Sequence, residues 1–405
     1  MPGQNTTRIA TLGDLDLGTL SGRRVFVRVD FNVPMTKAGE VGDATRLLEA
    51  LPTLRELVGA GAKLILASHH GRPKGGPDPK YTLRPVAAKL AELLGRPVRF
   101  APDCIGEAAE AEASQLAAGE VLLLENLRFH AGETQNDPDF SAALATLAEA
   151  YVDDAFGSAH RAHASVVGVA ERLPRRAAGR LMVREVDALG RLLGEPDRPF
   201  AAILGGAKIE GKIDTLLNLL PRLDLLMLGG GMANTFLAAQ GIDLGSSLFE
   251  PDRLDLAKEI LSRAAERGTE VLLPTDLVAT DDLDTPQRIE TVAAGAIPAG
   301  TKAVDIGPDT RAAYAAAIGR ARTLFWNGPL GVFEKPPFDA GTRAVAEALG
   351  GMHGFSVIGG GETVAAIHQA GVADRIGHVS TGGGASLEFL AGKVLPGVAV
   401  LERES

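Results

Sequence analysis

Short aliphatic, β-branched runs alternate along this chain with longer Ala/Leu-rich stretches at helical spacing. A first series of predicted strands is Arg24–Asp30, Lys63–Ser68, Val98–Ala101, Val121–Glu125 and Ala150–Asp153. A second is Phe200–Leu204, Leu223–Leu228, Glu270–Leu273, Ala303–Ile306, Thr323–Trp326, Phe355–Ile358 and His378–Ser380. Between them lie helical stretches such as Leu83–Leu94 and Asp252–Ala265. Strand–helix alternation predicts α/β architecture with parallel sheets joined by right-handed crossovers. The strands are apolar nearly throughout, as expected where helices cover both faces of a sheet.

The two series run into different chemistry. First-series strands lead into Asp30-Phe31-Asn32, Ser68-His69-His70-Gly71-Arg72 and Glu125-Asn126-Leu127-Arg128. Second-series strands lead into Gly205-Gly206-Ala207-Lys208, Gly229-Gly230-Gly231, Trp326-Asn327-Gly328-Pro329, Gly359-Gly360-Gly361-Glu362-Thr363 and Gly382-Gly383-Gly384. Ligands of open parallel sheets bind at the carboxyl ends of strands. The first half is thus expected to hold a small ligand through Arg and His. The second half is expected to bring bare backbone close to phosphate groups, because glycine tolerates positive φ and leaves room for a ligand. Between Pro174 and Pro199, Leu181, Met182, Val186, Leu189 and Leu193 recur at helical spacing, which predicts a connecting helix.

A chain of 405 residues with 45% hydrophobic and 23% charged residues is long enough for two cored domains. Aromatics are 4% and net charge is −10, which argues against nucleic-acid binding. The charge is uneven: residues 1–180 hold 21 Lys/Arg and 22 Asp/Glu, the remainder 20 and 29. The more positive half suits an anionic ligand. No apolar run is long enough to span a membrane. Cys104 is the single cysteine and reads as a small buried hydrophobe in a reducing cytoplasm.

Gly206 to Ile213 nearly spells a Walker A loop, but Ile213 stands where the Mg²⁺-reaching hydroxyl belongs. Gly229 to Asn234 fails the dinucleotide fingerprint, since Asn234 replaces its third glycine. Arg28 lies inside a strand and reads as a packing or ion-pair residue, whereas Arg72 and Arg128 directly follow strand ends. Asp153-Asp154 reads as a helix cap or turn. No zinc-hydrolase or serine-esterase signature is present.

Several segments taken together resemble the phosphoglycerate kinase family. They are Asp30-Phe-Asn-Val-Pro34, Ser68-His-His-Gly-Arg-Pro73, Glu125-Asn-Leu-Arg-Phe-His130, Asp154-Ala-Phe-Gly157 with Ala159-His-Arg-Ala-His163, Gly205-Gly-Ala-Lys208, Gly229-Gly-Gly-Met-Ala233, Trp326-Asn-Gly-Pro329 and His378-Val-Ser-Thr-Gly-Gly-Gly-Ala-Ser-Leu-Glu388. The resemblance covers essentially the whole chain, in family order. It implies two Rossmann-like domains whose parallel sheets face each other across a cleft. Residues 1–177 would bind the triose, 178–198 form a hinge helix, 199–390 bind nucleotide, and 391–405 pack back on the first domain. The implied reaction is reversible phosphoryl transfer from 1,3-bisphosphoglycerate to ADP, giving 3-phosphoglycerate and ATP, with Mg²⁺. A cytoplasmic monomer that works by hinge closure is also implied.

By motif position, Asp30, Asn32, Arg46, His69, Arg72, Arg128 and Arg161 correspond to triose-binding residues. Gly206, Lys208, Lys212, Gly230, Gly231, Asn327, Glu334, Gly360, Gly361, Glu362 and Thr363 correspond to the nucleotide side. Arg46, Lys208 and Lys212 are the expected catalytic cations. Glu362 stands where the family usually has the Asp linked to Mg²⁺. Three other departures are His70 for a usual Leu, Asp153 for a usual Asn, and Asn234 for a usual apolar residue.

Overall fold

The computed structural model describes residues 8–403. Residues 1–7 and Glu404–Ser405, the ends of the expected first domain and C-terminal segment, lie outside the described residues. The chain divides into two compact units. One runs up to Asp187 and resumes at Val394; the other is Ala188–Lys393.

The first unit carries β1 (Arg24–Val29), β2 (Lys63–Ala67), β3 (Val98–Phe100), β4 (Val121–Leu123), β5 (Ala150–Asp154) and β6 (Arg176–Ala178). They form one parallel sheet in the order β3-β4-β2-β1-β5-β6. Residues 25–29 of β1 and all of β5 are buried. This accounts for their mostly apolar pattern, broken only by the buried Arg28 in β1 and by Asp153 and Asp154 at the end of β5. Chain direction reverses about β1, which places a topological switch point between β1 and β5.

The second unit carries β7 (Phe200–Leu204), β8 (Leu225–Leu228), β9 (Glu270–Leu272), β10 (Asp276–Thr280), β11 (Ile289–Ala293), β12 (Lys302–Ile306), β13 (Thr323–Asn327), β14 (Phe355–Gly359) and β15 (His378–Val379). Its main parallel sheet has the order β15-β14-β13-β7-β8-β9, with its switch point between β7 and β13.

One expectation is corrected. The run Ala303–Ile306 belongs to β12, which pairs antiparallel with β10 in a separate three-stranded sheet, β11-β10-β12. Neither β10 nor β11 is visible in the sequence pattern. β11 is an edge strand whose residues alternate between exposed and half-buried, so it lacks the apolar run that marks the parallel strands. The Asp/Thr-rich stretch before it reads as loop.

The segment between Pro174 and Pro199 contains β6 and a helix, Arg180–Leu193. The division between units, Asp187/Ala188, falls inside that helix. Its first turn is held by Asp154 at the end of β5, whose Oδ1 accepts from the amides of Leu181 at 2.9 Å and Met182 at 3.2 Å. The Arg180 amide donates to Thr53 Oγ1 at 2.7 Å. Asp154 is therefore a cap supplied from a neighbouring strand. Gly179 must lack a side chain, because a Cβ there would lie 2.2 Å from Asp154 Oδ1. The chain from Val394 lies on the first unit: the Ala10 amide donates to the Leu401 carbonyl at 2.8 Å, and that of Gly397 to Ala159 at 2.9 Å.

Burial pushes the Asp154 carboxyl up to about 7. The folded state therefore binds more protons than the unfolded chain between the ordinary carboxyl value and about pH 7, and this group opposes folding increasingly as pH rises through that window. Asp154→Asn keeps the oxygen acceptor for the helix cap and removes the ionisation. Its stability relative to the parent should rise by about 2–3 kcal/mol between pH 5 and 8 in denaturant titrations. A difference that does not change with pH would contradict the assignment.

Candidate functional site

In the first unit Asp30 and Asn32 follow β1, His69 and Arg72 follow β2, Arg128 follows β4 and Arg161 lies beyond β5, while Arg46 sits in the first turn of the helix Thr45–Gly59. Arg72, Arg128 and Arg161 line one cavity of about 420 Å³, together with His130. Arg128 Nη1 donates to the Gly71 carbonyl at 2.8 Å, and Asn32 Oδ1 accepts from the Gly71 amide at 2.8 Å. Gly71 has φ +61°, and a Cβ there would overlap the Tyr81 ring at 2.3 Å, so the turn that these two side chains grip requires glycine. Asp30 and Arg46 form an ion pair at 2.5 Å. Asp30, Asn32, Arg46 and His69 lie outside the lining of the arginine cavity.

Arg28, expected to pack or pair, is fully buried and organises this side. It donates through Nε to Ser165 Oγ at 2.8 Å, to the Val29 carbonyl, and through Nη2 to Ser158 Oγ at 3.3 Å. Nη2 also lies 3.1 Å from His69 Nδ1. A guanidinium has only donors, so Nδ1 must accept and Nε2 carries the ring proton. Burial, then the charges of Arg28, Arg128 and Arg46, hold His69 well below the usual imidazole range. It is a neutral donor at neutral pH. Burial, then Arg28 and Arg161, bring Arg128 down to about 10, and its buried Nε has no partner among the described residues. Burial, then Arg28 and Arg128, likewise lower His163 to about 4. Sequence reasoning missed Arg28 as a site-organising residue, because a strand position gives no hint of what the side chain reaches.

In the second unit, β7 and β13 are tied together at the switch point. The Gly205 amide donates to the Asn327 carbonyl at 3.0 Å, and that of Gly206 to Pro329 at 2.7 Å. Lys212 Nζ donates to the carbonyls of Gly205 at 2.5 Å and Asn327 at 3.2 Å. Burial brings Lys212 down to about 8, with Glu362 opposing that shift. The Gly230 amide is also taken, by the Leu330 carbonyl at 3.0 Å. Gly206 and Gly230 thus serve close backbone approach: a Cβ on Gly230 would lie 2.7 Å from the Gly206 carbonyl oxygen.

The free amides lie elsewhere. In the helix Gly361–Gln369 the bonding begins at Val364, whose amide donates to the Gly360 carbonyl at 3.0 Å. The first-turn amides of Gly361, Glu362 and Thr363 have no intrahelical partner, as at any helix start, and favour an anion. Thr363 Oγ1 accepts from the Gly328 amide at 2.7 Å. Asn327 Nδ2 is buried with no partner among the described residues.

A second cavity, of about 230 Å³, is lined by Gly206, Gly230, Gly231, Glu334 and Glu362. Lys208 is exposed and lies outside that lining, as do Lys212, Asn327, Gly360, Gly361 and Thr363. The cavity also has an apolar wall from Leu248, Leu277, Leu330 and Val332. Sequence reasoning missed this wall. Leu277 comes from β10, one of the two strands the pattern concealed, and an isolated leucine carries no motif. Asp305 lines the same cavity; it is buried and raised to about 7 by that burial.

An arginine-lined cavity in one unit and a glycine-lined cavity in the other have the chemistry of a phosphotransferase. The phosphoglycerate kinase family model matches residues 14–393. The phosphoglycerate kinase of Thermus thermophilus is 57% identical over 394 residues, covering 97% of this chain and 99% of that protein. That of Desulforudis audaxviator is 54% identical over 392 residues, covering 97% and 98%. Among solved structures, phosphoglycerate kinase from Coxiella burnetii superposes with a TM-score of 0.87 at 38% identity, covering 97% of this chain and 99% of that one. The chain belongs to the phosphoglycerate kinase family. It is a nucleotide-dependent kinase whose acceptor is a carboxyl group.

Lys212 at about 8 sets a pH dependence. The ammonium is present below that value and lost above it, while a bound phosphate favours the charged form. Affinity for ADP should therefore fall above pH 8, by up to about tenfold per pH unit. Calorimetric titration should show this fall in the parent and a flat profile in Lys212→Met. An equal fall in both would remove Lys212 from the site.

Proposed function

We propose that this protein transfers a phosphoryl group between 1,3-bisphosphoglycerate and ADP, reversibly, giving 3-phosphoglycerate and ATP. The observation that carries the reading is the arginine cavity: three guanidiniums converge there, and a buried Arg128 donor has no acceptor among the described residues. Such a cluster repels itself and is relieved by a multivalent anion.

In the direction of bisphosphoglycerate formation the nucleophile is a carboxylate, ionised at neutral pH, so no general base is needed. The protein's work is positioning, water exclusion and charge stabilisation. Arg72, Arg128 and Arg161 grip carboxylate and phosphate oxygens in forked pairs, and His69 Nε2 adds a neutral donor. Asp30 aligns Arg46, and Asn32 fixes the Gly71 turn beneath Arg128. Arg46 and Lys208 stabilise charge that develops on the moving phosphoryl group, and Lys212 serves the transferred phosphate and the nucleotide. The first turn of Gly361–Gln369 receives nucleotide phosphate, and the wall of Leu248, Leu277, Leu330 and Val332 takes the flat apolar base.

Mg²⁺ favours oxygen ligands, often one or two carboxylates alongside substrate phosphates. Glu362 and Glu334 on one cavity supply that donor type, so the residues fit the ion, with Glu362 as the protein's ligand, directly or through water. When bound, the ion neutralises charge on the nucleotide phosphates.

The triose residues belong to one unit and the nucleotide residues to the other. We place the hinge in the Pro174–Pro199 segment, with closure bringing the two ligands together and excluding water from the acyl phosphate. Cys104 as the single cysteine suits a cytoplasmic setting, and a monomer suffices for this chemistry. No helix among the described residues is long and apolar enough to cross a membrane.

Purified protein should form ATP from ADP and 1,3-bisphosphoglycerate, and chelating Mg²⁺ should abolish the rate. Lys208→Ala and Arg46→Ala should each lower kcat by on the order of 10²-fold, with smaller effects on ligand affinity. Glu362→Gln should raise the Mg²⁺ concentration needed for half-maximal rate. Absence of ATP formation would refute the reading. Wild-type kcat in Lys208→Ala, or an unchanged Mg²⁺ titration in Glu362→Gln, would refute the corresponding role.

A further inference from the structure

Next to the arginine cavity, and sharing His130 with its lining, three side chains of different ligand chemistry converge in the first unit. Asp103 and Cys104 follow β3, just before the helix Gly106–Ser114, and His130 follows the turn after β4. One ligand atom from each lies within 4.8 Å of both others. His130 Nε2 is 2.7 Å from Asp103 Oδ1, and the Cys104 amide donates to that same oxygen at 2.6 Å. The His130 ring stacks on Phe140, with centroids 5.3 Å apart. Cys104 is fully buried, whereas the Asp103 and His130 side chains are 45% and 32% exposed. The cluster thus has a closed sulfur side and an open imidazole–carboxylate side.

We infer that Asp103, Cys104 and His130 form a zinc-binding site at the rim of the arginine cavity. A set of one sulfur, one imidazole nitrogen and one carboxylate oxygen matches Zn²⁺, which takes all three donors; Mg²⁺ and Ca²⁺ prefer oxygen alone. Three protein ligands leave a fourth position for water. Tetrahedral zinc with bonds of about 2.0–2.3 Å sets its ligands about 3.3–3.7 Å apart. The widest separation, up to 4.8 Å, must therefore close by about 1 Å and the 2.7 Å His130–Asp103 contact must open by about 0.6 Å, movements open to those two half-exposed side chains. The adjacency of Asp103 and Cys104 and the stacked ring already fix most of the geometry.

The step balances simply. Zinc replaces the hydrogen between His130 Nε2 and Asp103 Oδ1, and that proton moves to Nδ1, so the ring stays neutral. Cys104 binds as thiolate, and its proton leaves to solvent. A free thiol is protonated at neutral pH, so zinc uptake by Cys104 releases a proton. With neutral imidazole, the three groups carry one negative charge before uptake, from Asp103. They carry none after it, when two anionic ligands offset Zn²⁺. Because His130 lines the arginine cavity, an occupied site makes that cavity's rim less negative.

The test uses the full-length protein stripped of metal and titrated with Zn²⁺ and Co²⁺ in the absence of nucleotide. Expected are one Zn²⁺ per chain, proton release on binding, no competition from excess Mg²⁺, and sulfur-to-metal charge-transfer absorption with Co²⁺. His130→Ala and Asp103→Asn, both at half-exposed positions, should weaken Zn²⁺ binding at least tenfold. Cys104→Ala should abolish the charge-transfer band. Lack of stoichiometric uptake overturns the inference, as does equal affinity in His130→Ala or a Co²⁺ complex without a sulfur band.

Discussion

A backbone approach too close for any side chain holds the second unit's site together. A Cβ on Gly205 would lie 2.1 Å from the Pro329 carbonyl oxygen, and one on Gly328 would lie 2.2 Å from Lys212 Nζ. Glycine at both positions lets the ends of β7 and β13 lock through the Gly205 and Gly206 amides. The paired carbonyls of Gly205 and Asn327 then form a seat for the Lys212 ammonium. The same burial lowers its proton affinity, and a nearby anion would favour its charged form. Packing and electrostatics are thus set by one contact.

The first unit meets the opposite demand. It must concentrate positive charge without a ligand present. Arg28 is buried behind the cluster and satisfied by hydroxyl and carbonyl acceptors. Burial first, and the charge of Arg28 after it, lower His69, Arg128 and His163. Neutral histidines limit the self-repulsion, while Arg72, Arg128 and Arg161 stay available to oxygen ligands. Sites of this kind trade folding stability for readiness toward an anion.

Much of this was legible in the sequence, for a physical reason. Parallel strands covered on both faces must be continuously apolar, so VFVRV, KLILA and FAAIL announce themselves, and polar residues directly after them mark the carboxyl ends. The period of Leu181, Met182, Val186, Leu189 and Leu193 likewise marks the helix Arg180–Leu193. The pair Asp153-Asp154 read as cap or turn, and Asp154 caps that helix while Asp153 accepts from the Ala155 amide at 2.9 Å. What stayed hidden depends on tertiary placement. The antiparallel sheet has a half-exposed edge strand with little apolar signal. The apolar cavity wall gathers single leucines from distant segments. Which glycine amides are free is decided by partners such as Pro329 and Leu330, which no local motif specifies.

The proposed division of the two ligand sets between separate units has a thermodynamic consequence. A ligand that contacts one unit has little preference between open and closed arrangements, whereas a pair that must meet favours closure strongly. Small-angle X-ray scattering with 3-phosphoglycerate, with Mg-nucleotide, and with both measures this directly. The radius of gyration should fall most with both ligands together and little with either alone. Full compaction with one ligand, or none with the pair, would contradict a reaction assembled from two half-sites.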